Sequence, residues 1–325
     1  MVRINLGNNI LAMKLFSYLI LSILLSLPCI CHGKSLNGFD ITHADVPISA
    51  IKHGGPPRDG IPAINEPNYI HAEQADFMRA DDRVLGFVSD GTAIAFPLFI
   101  MNWHELVNDQ IDGQPFVISY CPLCGTGMAF SSTLDGDRLI FGVSGLLYNS
   151  DVLFYDKQSE SLWSQIRRQA ITGTHRGRTL EQLPLAHTTW ERWQQQHPST
   201  KVLTPEQGYS RNYRKDPYRG YETSRALFFE VAHKIPKEYH TKEKVLGVLI
   251  NGQAKAYPFI ELRKQDKARF NDVFADKPLV VRWDKNSATA SIEDAKGNPV
   301  VTTVAFWFAW YAFHPDTAIF RHRDK

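Results

Sequence analysis

The chain has 325 residues, 43% of them apolar, with 36 Lys+Arg against 34 Asp+Glu. That is too apolar and too weakly charged for disorder, and long enough for one large domain or two modest ones. Arg3 and Lys14 are the only charges in the first 33 residues, so the remaining body is neutral and lacks the basic excess that marks nucleic-acid binding.

At the N-terminus, Lys14 precedes the uncharged run Leu15 to Leu27, followed by Pro28 and the small residue Gly33. A positive flank, a short apolar run and small residues near a break describe a secretory signal. As a helix, thirteen residues cover about 20 Å, short of a roughly 30 Å hydrocarbon core. Residues 1–33 therefore read as a signal peptide with an upstream extension before Met13. The mature chain is expected to begin near Lys34, to lack a membrane span, and to work outside the cytoplasm, in the periplasm or secreted. Of the four cysteines, Cys29 and Cys31 go with the signal, leaving Cys121 and Cys124. Two cysteines cannot build a multi-disulfide framework, although that compartment permits one bridge.

Along the body, residues 34–80 read as an N-terminal extension. Arg83 to Val88 and Thr92 to Leu98 form a hairpin around Ser89-Asp90-Gly91. A helical turn is expected from Trp103 to Asn108, then strands over Phe116 to Tyr120, Met128 to Ser132 and Arg138 to Val143, the last two joined at Asp135-Gly136. Thr188 to His197 has helical spacing and stops before Pro198, and Val202-Leu203 closes this half, residues 81–207. Residues 208–240, rich in Tyr, Arg and Gly at their start, form a linking loop packed on the body by its tyrosines. Residues 241–325 form a second, degenerate half, in which Phe306 to Phe313 is a buried helix and Ile319-Phe320 a closing strand. The predicted class is α+β, strand-dominated, with the halves possessing an internal duplication about a pseudo-twofold.

The duplication rests on ordered matches. Val84-Leu85-Gly86 through Ala95-Phe96-Pro97 matches Val245-Leu246-Gly247 through Ala256-Tyr257-Pro258 at an offset of 161. Asn108-Asp109 matches Asn271-Asp272 two residues later in register, and the Trp190-x-x-Trp193-x-x-x-His197-Pro198 segment matches Trp307-x-x-Trp310-x-x-x-His314-Pro315 at an offset of 117. The second copy thus lacks about 46 residues. Residues kept in both copies serve the fold: His197 and His314 read as helix-end residues facing the last carbonyls, and the Asn-Asp pairs as turn or cap residues. Residues held by one copy are functional candidates. Cys121-Pro122-Leu123-Cys124-Gly125 faces Asp284-Lys285-Asn286-Ser287 in the second copy, and His104 also lacks a counterpart.

Three chemistries fit this turn. Two thiolates two residues apart can face one metal ion, and with no second cysteine knuckle at least one more ligand must come from elsewhere: His104 is the first choice and Met128 a distant second. Such a soft set suits one copper or zinc ion. The second is thiol-redox or other enzymatic use of the same cysteines, although Gly125-Thr126-Gly127 is hostile to the helix that would lower a thiol pKa. The third is a structural disulfide in a binding or scaffold protein. The stretch missing from the second copy offers a neighbouring polar pocket of Met128, Tyr148, Asn149, Asp151, Tyr155 and Trp163, or equally a turn at Asn149-Ser150-Asp151 and a core Trp163. His175, near Gly173 and Gly177, reads as a loop residue. No phosphate loop, serine elbow, helical zinc motif or haem-attachment motif is present.

Tyr120-Cys121-Pro122-Leu123-Cys124-Gly125-Thr126, Gly142-Val143-Ser144-Gly145-Leu146-Leu147-Tyr148-Asn149-Ser150, Leu162-Trp163-Ser164-Gln165 and Phe313-His314-Pro315-Asp316-Thr317 closely resemble the bacterial exported proteins grouped as domain of unknown function 3179. The resemblance spans about Asp81 to Phe320. It implies a prokaryotic, often exported protein and carries over no activity, cofactor or partner.

Overall fold

Two short strands of the N-terminal stretch, β1 (Ile51–His53) and β2 (Tyr69–His71), precede the first hairpin, β3 (Arg83–Ser89) and β4 (Thr92–Pro97). The hairpin turns at Asp90-Gly91, both at positive φ, the backbone that a two-residue turn between right-twisted strands requires. The structure, a computed structural model, describes residues 33–322. The expected export signal and the cysteines Cys29 and Cys31 lie outside the described residues. From Ser35 onward the chain forms one compact unit, and among the described residues no helix is long and apolar enough to cross a membrane.

Helix α1 (Leu98–His104) follows the hairpin, then a three-stranded meander, β5 (Leu106–Ile111), β6 (Gln114–Cys121) and β7 (Thr126–Ser131). The helix comes earlier than the expected turn at Trp103 to Asn108. It starts directly after Pro97, and Glu105 at φ 60° stops it and sends Leu106 into a strand. The next segment adds β8 (Phe141–Tyr148), β9 (Asp151–Asp156), β10 (Leu162–Ser164) and β11 (Gln169–Ala170). β8 runs past the expected strand end at Val143, because a bulge between Val143 and Leu146 lets the Gly- and Ser-rich run stay paired. β12 (Ala186–Thr189), helix α2 (Trp190–Gln196) and β13 (Lys201–Leu203) complete the first half. Thr189 caps α2 by accepting from the Arg192 N–H.

Residues 204–243 contain no strand or helix. The second half then runs β14 (Lys244–Ile250), β15 (Gln253–Pro258), α3 (Phe259–Leu262), β16 (Arg269–Phe274), β17 (Lys277–Asp284), β18 (Thr289–Asp294), β19 (Thr302–Phe306), α4 (Trp307–Phe313) and β20 (Ala318–Ile319). This is the same order as β3 to β7 followed by β12, α2 and β13. Details repeat as well. A Cβ on Gly86 would meet the Trp193 ring at 2.2 Å, and one on Gly247 the Trp310 ring at 2.2 Å. Each Trp Nε1–H donates to a threonine, Thr200 or Thr317, at 2.9 Å. Only glycine lets the helix seat its tryptophan on the hairpin. His197 and His314 stack on those same tryptophans, with centroids 4.1 and 4.3 Å apart, rather than turning their rings to helix carbonyls.

Strand pairing crosses between the halves. The meander β5-β6-β7 extends the second half's sheet, giving the order β20-β15-β14-β19-β7-β6-β5 through a bridge of Gly127 to Val304, with a short strand at Gln182–Leu183 on β7. β12-β3-β4-β13-β2 form one five-stranded sheet and β11-β10-β9-β8-β1 another, so the N-terminal stretch is woven into both. β16-β17-β18 stand as a three-stranded sheet whose Thr289 donates to Thr188 of β12 at 2.9 Å. Asn108 and Asp109 lie inside β5 rather than in a turn. Asn108 bonds both the N–H and the C=O of Phe141, stitching β5 to β8, while Asp109 accepts from the Tyr69 hydroxyl and Asp272, in β16, from the Tyr257 hydroxyl.

Candidate metal centre

Cys121 ends β6, and Cys121 to Cys124 form a tight β-turn shortly before β7. Pro122 occupies its second position, where a fixed φ suits the turn, and the Cys124 N–H donates to the Cys121 carbonyl at 3.2 Å. Gly125 follows at φ 61°, with the Phe306 ring where a side chain would stand, 2.8 Å from an ideal Cβ. The Cys124 carbonyl is held by the Phe306 N–H at 2.7 Å and the Thr126 hydroxyl at 3.1 Å. The turn is therefore fixed by backbone bonds on both sides, and its two sulfurs are free thiols, both buried.

A second turn faces it. Tyr148 and Asp151 pair across the β8-β9 hairpin, whose connecting residues Asn149 and Ser150 both have positive φ, 53° and 64°. Asn149 anchors this turn by accepting from the Ala232 N–H at 2.8 Å and donating to the Ala312 carbonyl at 3.3 Å. The Ser150 carbonyl lies 3.2 Å from Cys124 Sγ. Asp151 opens β9 with its side chain turned to the sulfurs: the Cys121 and Cys124 sulfurs and an Asp151 carboxylate oxygen lie within 4.8 Å of one another. The Ile166 N–H fixes Asp151 Oδ2 at 3.0 Å and leaves Oδ1 with no hydrogen-bond partner. The buried Ser150 Oγ, Gln165 Oε1 and Tyr221 hydroxyl oxygen also lack partners.

The electrostatics are one-sided. Burial pushes both thiols up from their ordinary values. Burial also pushes the Asp151 carboxyl up to about 7 and, together with the charge of Asp151, the Glu105 carboxyl up to about 8. Four acidic groups thus share one interior, and no ion pair of the described residues involves either carboxyl. Leaving buried acids without a cation or hydrogen bonds is costly. The arrangement stays unfavourable unless they keep their protons or receive a positive ion.

The expected third ligand, His104, does not belong to this cluster. Its Nδ1 bonds the Pro62 carbonyl at 2.8 Å and its Nε2 the Tyr213 hydroxyl at 2.7 Å, so one nitrogen holds the N-terminal stretch and the other the linking segment. Asp151, expected only as a pocket residue, stands where His104 was expected. Met128 is a core residue of β7. Tyr148 packs edge-on against Phe313, Tyr155 donates to Asp59 at 2.6 Å, and the Trp163 indole donates to Asp156 at 2.9 Å. These three serve packing and do not line a cavity with the sulfurs. His175 lies in a turn beside Trp163, 5.9 Å between centroids.

Glu105 escaped the sequence reading altogether, although the signal that singled out His104 applies to it. The Tyr120 N–H donates to the Glu105 carbonyl as the Trp283 N–H does to that of Ala268, so Glu105 corresponds to an alanine in the second half. The family described as a protein of unknown function (DUF3179) matches residues 58–317. No curated protein and no solved structure matches the chain.

Proposed function

The chain belongs to the DUF3179 family, whose description supplies no activity, and we propose from its own residues that it is an exported protein binding one transition-metal ion at Cys121, Cys124 and Asp151. The observation that carries this reading is the convergence of two free thiols and an unpartnered carboxylate oxygen, all buried, with no ion pair to that carboxylate among the described residues. A bound divalent ion supplies the missing positive charge, at the cost of releasing the thiol protons. Two sulfurs and a carboxylate oxygen suit zinc better than monovalent copper, because the hard oxygen donor is a poor partner for a soft ion. Zinc sites with three protein ligands keep a fourth position for water or another molecule.

Geometry weighs against thioredoxin-type exchange. Cys124 leads into the strand β7 rather than a helix, and burial raises both thiols instead of lowering one. Elemental analysis of protein purified under reducing conditions tests the proposal. About one ion per chain is expected in the parent and a small residue of it in Asp151→Asn. Equal content in the two would remove Asp151 from the site.

A further inference from the structure

The cysteine turn has a second face. A cavity of about 520 Å³ lies behind it, walled by Ile61, Leu123, Val143, Leu147 and Val152. Leu123 is the residue between the two cysteines, and Val152 follows Asp151. Gly145, at the bulge of β8, forms part of the same wall at φ 72°; the Pro56 carbonyl leaves no room there for a side chain. The linking segment closes the far side with Tyr218, Phe228 and Phe229. Phe228 is 63% exposed, a large apolar ring left in water at the edge of an apolar cavity.

One charged side chain enters this lining. Glu105 is only 7% exposed, and among the described residues no side-chain hydrogen bond or ion pair to its carboxyl is present. Its backbone holds φ 60°, a conformation non-glycine residues rarely adopt, and the second half has an alanine at the corresponding place. The lining contains no Lys, Arg or His, so an anionic ligand would find no positive partner, whereas a cation beside Glu105 favours release of the carboxyl proton and pairs with the charge that results. A loaded metal centre does not change this sign, since two thiolates and one carboxylate outweigh a divalent ion by one negative charge. Cavities of this size and apolarity take small molecules oriented by a few polar groups. Aromatic faces at the mouth favour a cation over a neutral head.

We propose that this cavity binds a small apolar molecule bearing one protonated amine, with the ammonium group received by the Glu105 carboxylate and the apolar body lying along Leu123, Val143 and Leu147. The site is defined by the cavity and Glu105. It stands whether or not the adjoining cysteines hold an ion, although it builds on the picture of a functional first half. The ligand of a functional centre there is then an alkyl or aryl amine rather than a fatty acid, a phosphate ester or a sugar.

Calorimetric titration of the mature, full-length protein with n-octylammonium, n-octanoate and octan-1-ol tests this, each on protein of measured metal content and on the Cys121→Ser/Cys124→Ser variant. n-Octylammonium is expected to bind parent protein at least tenfold more tightly than n-octanoate. Glu105→Gln is expected to lose at least tenfold for the amine while binding octan-1-ol as the parent does, which also shows that the variant is folded. Leu147→Trp, which fills the cavity, should lose all three. Amine and carboxylate binding alike, or no amine binding to the parent, overturns the proposal even if Glu105→Gln fails to fold. The metal reading stands or falls separately: an unchanged metal content in the cysteine variant defeats it without touching the amine-to-carboxylate ratio.

Discussion

Four residues join β6 to β7, and four join β17 to β18 at the matching place, and the two turns have opposite characters. In the second half Asp284 accepts from the Asn286 and Ser287 N–H groups at 3.0 and 3.2 Å, Ser287 donates to Thr289 at 2.8 Å, and Arg192 pairs with Asp284 at 3.3 Å. These polar groups have partners, and the Asp284 carboxylate has a cation beside it. In the first half Cys121 and Cys124 stand in place of Asp284 and Ser287, buried against an orphaned carboxylate oxygen with no ion pair to it among the described residues. Self-sufficiency in one turn and unmet demand in the other is the contrast on which the proposed metal site rests.

The comparison breaks most visibly on metal content. Asp151→Asn is expected to weaken metal binding by about 100-fold or more, whereas Asp284→Asn should leave it unchanged, as elemental analysis after dialysis would show. Similar losses from both would mean that the turns are not functionally distinct. The two alike glycine–tryptophan contacts predict the converse symmetry. Gly86→Ala and Gly247→Ala each force a methyl into a buried indole, and each should cost about 2–3 kcal/mol, lowering Tm by roughly 3–5 °C in thermal unfolding. A large effect at one glycine and none at the other would show that the two helices are seated differently.

A smaller effect sharpens the comparison. Burial, with the charge of Arg168, pushes the His314 imidazole down to about 4, and its Nε2 is buried without a partner. The unfolded chain's imidazole takes its proton near 6.5. The unfolded state therefore binds more protons between those values, and stability falls as pH drops from about 6.5 towards 4. His197 is lowered by burial as well, but its half carries no orphaned ring nitrogen at this place. Denaturant unfolding between pH 7 and pH 4.5 should thus show a flatter acid-side loss in His314→Gln than in His197→Gln, and equal slopes would contradict the difference in burial.

Local signals made much of the fold legible. Asp90-Gly91 and Asp135-Gly136 marked turns that exist, and the Trp-x-x-Trp spacing marked α2 and α4. The asymmetry of the Cys-x-x-Cys turn pointed to the loop where the two sulfurs meet a buried carboxylate. The third member of that group was harder to read, because it depends on strand pairing across long separations. Asp151 reaches the sulfurs only through the β8-β9 hairpin, whose Gly- and Ser-rich first strand reads as loop in a chain pattern. His104 shares the cysteines' asymmetry and is a good ligand type, yet Tyr213, 109 residues away, takes one of its nitrogens. No periodicity announces that hydrogen bond. Glu105 was hidden by its neighbour: a single-residue counterpart, Ala268, emerges only when backbone hydrogen bonds set the register between the halves.

The most direct test of the central claim is the metal stoichiometry of protein purified under reducing conditions, measured beside Cys121→Ser/Cys124→Ser with folding of both verified by circular dichroism. The account predicts about one zinc-like divalent ion per parent chain and at least about a tenfold deficit in the folded variant. Parent protein that folds and purifies without an ion and takes none up on incubation, or a variant that holds as much as the parent, would contradict it.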